Sequence, residues 1–174
     1  MTMRNICYID GQNLLMSTLT SPFALKIDVR LFLPFLQQKY KVSEAHYFVG
    51  KYEESKTNFY KALKKSGFSV DFREHNYGMI SNKKGNVDTD IVFEMMRTYS
   101  KRKDFDKIIL VSGDGDYYRT VKFLIEEQKF SKILLPSHEN ASWLYKKLDP
   151  QWFTYLDYEP TRKKLKKIVN AGPT

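Results

Sequence analysis

A chain of 174 residues, 42% of them hydrophobic, has the length and apolar content of one domain with its own core, which excludes a disordered polyelectrolyte. Its single cysteine, Cys7, allows no internal disulfide, so a disulfide-stapled secreted framework is excluded and a reducing, cytoplasmic setting is expected. The formal net charge of +9 favours a polyanionic partner, nucleic acid before an anionic membrane surface, although Arg162, Lys163, Lys164, Lys166 and Lys167 place much of the excess in the last stretch.

No signal-peptide pattern precedes the first strand and no apolar run approaches transmembrane length, so no membrane segment is expected. Ile6 to Ile9 reads as a short buried strand, followed by Asp10-Gly11-Gln12-Asn13 and the apolar Leu14, Leu15 and Met16. Asp10 suits a helix N-cap, with Asn13 a solvated first-turn residue. Equally, the two are three apart and share a face, so a carboxylate and an amide can point into one site. After a break at Ser21-Pro22, Asp28 caps a helix carrying Leu31, Phe32, Phe35 and Leu36, with Pro34 expected to disturb its first turns. Ala45 to Val49 is the second strand, with Gly50, Lys51 and Tyr52 at its end. A helix from about Lys56 to Lys65 stops at Gly67, a C′ glycine, and Phe68 to Phe72 alternates as a third strand.

The polar segment from Arg73 to Asn86 holds His75, Asn76, Tyr77, Lys83 and Lys84 and has the composition of a loop that can reach over a site. Asp88 and Asp90 open the next helix (Ile91, Val92, Met95, Met96, Tyr99), where acids complement the helix dipole. Glu94 lies one turn further on, with Arg97 or Lys101 as ion-pair partners. The run Ile108 to Val111 is a strand buried on both faces, and it gives way abruptly to Ser112-Gly113-Asp114-Gly115-Asp116-Tyr117. One Asp on such a turn is an ordinary cap; two side by side repel unless a cation or donors lie between them. A helix to about Gln128, a fifth strand from Lys132 to Leu135, the polar loop Ser137 to Asn140, a helix from Ala141 to Leu148 and a sixth short strand or edge segment at Trp152 to Leu156 complete a domain of residues 1–160. Residues 161–174 form a basic tail, read as a short helix or an arm.

Alternating strands and helices imply a parallel sheet covered by helices on both faces. The strand ends then bring Asp10, Asp114 and Asp116 to one edge, joined by Asp88 and Asp90 from a helix start and by Asn13. A divalent cation removes the repulsion among these carboxylates, and an all-oxygen donor set without Cys or His suits Mg²⁺ or Mn²⁺ better than Zn²⁺. A metal held that way is the usual arrangement for chemistry on phosphates.

Three blocks, Ile9-Asp10-Gly11-Gln12-Asn13-Leu14, Lys84-Gly85-Asn86-Val87-Asp88-Thr89-Asp90 and Val111-Ser112-Gly113-Asp114-Gly115-Asp116-Tyr117, resemble in order and spacing the signature blocks of NYN domains, members of the PIN-like nuclease superfamily. The resemblance runs from about Arg4 to Leu156. It implies a Rossmann-like three-layer α/β/α sandwich with a central, mainly parallel sheet of five or six strands, and Mg²⁺- or Mn²⁺-dependent cleavage of RNA. Carried over, Asp10, Asp88, Asp114 and Asp116 match the metal-binding acids, Asn13 matches the amide beside the first, and Asp90 is a further, less secure match. Lys51, Lys83, Lys84 and Arg119 are candidates for backbone phosphates, each also readable as a solvated surface charge, and Tyr52, Tyr77 and Tyr117 for stacking on bases or packing in the core. A homodimer is left open. The competing readings are a catalytically inactive RNA-binding or partner-docking module of the same fold, and a phosphotransferase using Asp10 as nucleophile, which would want an acid where Gln12 stands.

Overall fold

The computed structural model describes residues 4–19, 27–73 and 87–165. Where the sequence is continuously apolar, the strands are buried on both faces: every residue of β1 (Asn5–Asp10) is buried. It is followed by α1 (Gly11–Leu19), α2 (Val29–Tyr40), β2 (Val42–Val49), α3 (Thr57–Ser66) and β3 (Ser69–Phe72). The second half runs α4 (Asp88–Lys101), β4 (Ile108–Val111), α5 (Tyr118–Glu126), β5 (Phe130–Leu135), β6 (Phe153–Tyr155) and α6 (Glu159–Leu165).

The six strands form one sheet in the order β3-β2-β1-β4-β5-β6, and every pairing is parallel. Alternate residues of β1 feed two cores. Cys7 and Ile9 pack with Leu14 of α1, Phe32 and Leu36 of α2, Leu63 of α3 and Leu165 of α6. Ile6 and Tyr8 pack with Ile91 and Met95 of α4 and Val121 and Leu124 of α5. The result is a three-layer α/β/α sandwich, as expected from the strand-helix alternation. The chain order reverses between β1 and β4, the place in such sheets where a crevice opens beyond the strand C-termini.

Local chemistry sets the element ends. Asp28 caps α2 by accepting the Arg30 N–H at 2.9 Å. The helix starts directly after it, because Pro34 costs only the bond to one earlier carbonyl and its fixed φ is helical. Gly67 closes α3 at φ 100°, the left-handed conformation a C-terminal glycine supplies. The helix expected over Ala141 to Leu148 is instead a 3₁₀ turn, Trp143–Lys147, because its start is strapped to β4: the Ser142 N–H donates to the Gly113 carbonyl at 2.8 Å. The basic C-terminal stretch begins in α6, whose Leu165 is fully buried and whose carbonyl accepts the Asp28 N–H at 2.9 Å. No helix among the described residues is long and apolar enough to cross a membrane.

Arg102, just past α4, forks between Glu44 on β2 (2.7 and 2.8 Å) and Asp104 (2.7 and 2.8 Å). These bonds hold the Glu44 carboxyl below its ordinary 4.5 and that of Asp104 at about 2 instead of 3.8. Depressed carboxylates stabilise the folded state above their unfolded pKa values and lose that contribution as pH falls through the folded ones. Thermal melts of wild type and Arg102→Gln across about pH 5 to 2 are expected to converge at the acid end. Parallel curves would show that the fork contributes nothing.

Candidate active site

At the switch point, Asp10 ends β1 and is 3% exposed. Its Oδ1 accepts the Asn13 N–H at 2.9 Å, which caps α1, while its Oδ2 accepts the Tyr117 hydroxyl at 3.0 Å and the Ser112 hydroxyl at 3.4 Å. Cap and site residue are therefore the same group. The turn from β1 into α1 needs Gly11, since a Cβ there would lie 2.6 Å from the Phe48 carbonyl oxygen and 2.3 Å from the Tyr47 ring. Burial pushes the Asp10 carboxyl above its ordinary range; the Asn13 N–H and the Tyr117 hydroxyl oppose that shift, and Asp88 and Asp114 add to it.

Beyond β4 the acidic turn is built by its own side chains. The Asp114 N–H donates to the Ser112 hydroxyl oxygen at 3.1 Å, and Asp114 Oδ1 accepts the Asp116 N–H at 3.0 Å, starting the 3₁₀ turn Gly115–Tyr117. Gly115 lets Ser142 approach, because an added Cβ would meet Ser142 Oγ at 2.6 Å. The Tyr145 hydroxyl donates to the Asp114 carbonyl, which fixes the turn from the other side. Asn13 Oδ1 accepts the Gly113 N–H at 2.8 Å, so the Asn13 side chain ties α1 to the acidic turn, and it also lines the cleft.

Asp88, the first residue of α4, accepts the Tyr117 hydroxyl at 2.8 Å. One carboxylate oxygen from each of Asp88, Asp114 and Asp116 lies within 4.8 Å of the other two, with Asp114 half-buried and Asp116 exposed. Three hard oxygen donors on converging elements, open to solvent on one side, fit a Mg²⁺ or Mn²⁺ ion that keeps part of its water shell. Asp10 stands outside that trio and connects to it through Tyr117. Next to it opens a cleft of about 540 Å³, walled by Asn13, Asp114 and Asp116 on one side and by Glu139, Asn140 and Ser142 from the loop after β5 on the other.

Other candidates go elsewhere. Asp90 faces Arg73 at 3.8 Å, and Glu94 pairs with Arg97 at 2.6 Å, one of the two partners its spacing allowed. Lys51 and Arg119 are exposed, Lys51 just past β2 and Arg119 in the first turn of α5. Lys83, Lys84 and Tyr77 lie outside the described residues. Tyr117 cannot stack on a base: its ring is fully buried, and it is the hydroxyl that reaches the acids. Its place directly behind two acids on a turn was the available signal, since a buried phenol needs a partner for its O–H. Trp143 was not singled out by the sequence; it is 63% exposed beside the cleft residues Ser142 and Leu144, with the Lys147 ammonium 4.3 Å from its ring centroid.

An all-parallel α/β/α sandwich with carboxylates gathered at its switch point is consistent with a PIN-like domain. A sequence model of the NYN domain matches residues 5–155, and the chain belongs to that family. It is 24% identical over 175 aligned positions to the low amplitude and bright protein LabA of Synechococcus elongatus, covering 95% of this chain and 89% of that protein. A crystal structure of a protein of unknown function from Vibrio parahaemolyticus shares the fold with a TM-score of 0.73 at 20% identity, over 91% of this chain and 95% of that one.

Losing the Asn13 acceptor would strand the partly buried Gly113 N–H. Asn13→Ala is therefore expected to lower stability by about 1–3 kcal/mol in urea unfolding. A loss below roughly 0.5 kcal/mol would mean that water replaces the strap without cost.

Proposed function

We propose that this NYN domain is a divalent-metal-dependent ribonuclease that cleaves phosphodiester bonds of unpaired or structured RNA in the cleft beside Asp114. The observation that carries the reading is the convergence of three carboxylate oxygens, from Asp88, Asp114 and Asp116, within 4.8 Å at the sheet's switch point. Mg²⁺ or Mn²⁺ bound there would make water nucleophilic near neutral pH and offset charge on the phosphate.

The chain's own groups do the rest. Asp114 is held by its bond to the Asp116 N–H and by the Tyr145 hydroxyl on its carbonyl, so its carboxylate would hold an ion there with little reorganisation. Asp10, pinned at both oxygens, lies beneath the trio and supports it through Tyr117. Asn13 keeps the two strand ends in register. For contacts to backbone phosphates outside the cleft the exposed Lys51 and Arg119 are candidates, and Lys83 and Lys84 are candidates on sequence alone. Trp143, steadied by Lys147, offers a face for an unpaired base. The buried Cys7 thiol fits a reducing compartment such as the cytoplasm.

A labelled single-stranded RNA should be cut by wild type with Mn²⁺ or Mg²⁺ and not with EDTA, and Asp114→Asn should cut at least about a hundredfold more slowly while melting at the same temperature. Metal-independent RNA binding without cleavage by wild type would replace the nuclease reading with a binding module. Trp143→Ala should weaken unpaired RNA by about 1–3 kcal/mol and fully duplex RNA by much less, read by fluorescence anisotropy. Equal losses on both would remove the stacking role.

A further inference from the structure

We infer that Tyr117 is the positioning residue of the carboxylate cluster: its single hydroxyl sets the separation of Asp10 and Asp88 and so prepares the site for a divalent ion. The inference rests on the metal-site reading above, but it concerns a residue whose body looks like ordinary core. The Tyr117 oxygen is 3.0 Å from Asp10 Oδ2 and 2.8 Å from Asp88 Oδ1. Asp10 sits at the end of β1 and Asp88 at the start of α4, 78 positions apart in sequence, and Tyr117 itself belongs to the turn that carries Asp114 and Asp116. One phenol therefore touches all three chain segments that supply the acids.

The post is rigid. The ring is fully buried in the core shared with Ile91, Val121 and Leu124, and the turn before it is fixed by the Asp114 cap. Asp88 is the first residue of α4, and its carboxylate meets the Tyr117 hydroxyl. The hydroxyl has one hydrogen to share between the two carboxylates, so it donates to one at a time while its oxygen spaces Asp10 from Asp88. Without the hydroxyl Asp10 keeps the Asn13 and Ser112 donors while Asp88 loses the Tyr117 donor and still faces the Asp10 charge, so an arriving ion must fix Asp88 first. Groups that orient metal ligands in this way commonly change affinity by about 10- to 100-fold when removed.

The test is Tyr117→Phe in the full chain, which keeps the buried ring and deletes only the oxygen. Its control is Tyr8→Phe, which deletes another buried hydroxyl of the same core, bonded to Thr98 at 2.6 Å away from the acid cluster. Mn²⁺ binding is measured by calorimetry and by the free-ion EPR signal, beside metal-free thermal melts. The expected result is a Mn²⁺ dissociation constant at least about tenfold weaker in Tyr117→Phe and unchanged in Tyr8→Phe, with similar metal-free melting of the two variants. Cleavage by Tyr117→Phe, unlike that by Asp114→Asn, should then recover as Mn²⁺ is raised. Equal Mn²⁺ affinity in wild type and Tyr117→Phe would overturn the inference and leave the metal site standing. Equal weakening in both Tyr variants, or a Tyr117→Phe chain that does not fold, would overturn it as a general loss of packing. Absence of Mn²⁺ binding by wild type would overturn the metal-site reading itself.

Discussion

The structure is governed by a repulsion. A parallel sheet sends every strand end the same way, and in this chain the ends of β1 and β4 and the start of α4 deliver Asp10, Asp88, Asp114 and Asp116 to one place. Burial raises the pKa of Asp10, and the Asp88 and Asp114 charges add to that shift. What holds the arrangement together is a set of donors from two segments: the Asn13 N–H from α1, and the Ser112 hydroxyl, the Asp116 N–H and the Tyr117 hydroxyl from the turn after β4. Burial pushes the Tyr117 phenol up, and the Asp10 and Asp88 charges push it further, so it stays a donor. The surrounding chain serves these bonds. Gly11 and Gly115 are there because a Cβ would collide with β2 or with the Ser142 strap.

How far this was legible beforehand depended on whether the signal was local. Buried runs ending in an acid and a glycine announced β1, β4 and the shared edge, because hydrophobicity, turn chemistry and charge change within a few residues. The layer arrangement followed from alternation of strand and helix. Tyr117 was legible as a stacking or core aromatic but not as a donor to the acids, because its ring fills the core as an aromatic in an apolar pattern does and only the tip departs from that pattern. The 3₁₀ turn at Trp143–Lys147 was hidden for a similar reason. Its composition suits a helix, and the bond from the Ser142 N–H to a carbonyl 29 residues earlier ties down its start. Asp90 was a less secure match than Asp88 two positions away; residues two apart on a helix point in different directions, and Asp90 turns to Arg73.

The comparisons carry the same lesson at a larger scale. Identities of 24% and 20% accompany near-complete coverage, so the layered scaffold persists while most side chains differ. A scaffold of this kind accommodates many activities, and the argument for function has to be made at the acids. There the relevant property is less the number of carboxylates than their division of labour. Asp10 is buried and accepts hydrogen bonds at both oxygens, whereas Asp116 is exposed and Asp114 half-exposed towards the cleft.

That division bears on how an acidic centre can serve a basic protein. A net charge of +9 draws a polyanion to the surface at long range, yet the last few ångströms lead towards like charge. A phosphate entering the cleft beside Asp114 and Asp116 is repelled unless a cation has arrived first, and the same cation relieves the carboxylates. On the ribonuclease reading proposed above, adhesion of RNA to the body of the protein and seating of a phosphate at the site would be separate events. The first would be sensitive to salt and indifferent to the divalent ion; the second would depend on it. The acids would then act as a condition of entry, and RNA held elsewhere on the basic surface would not be committed to the cleft until an ion was in place.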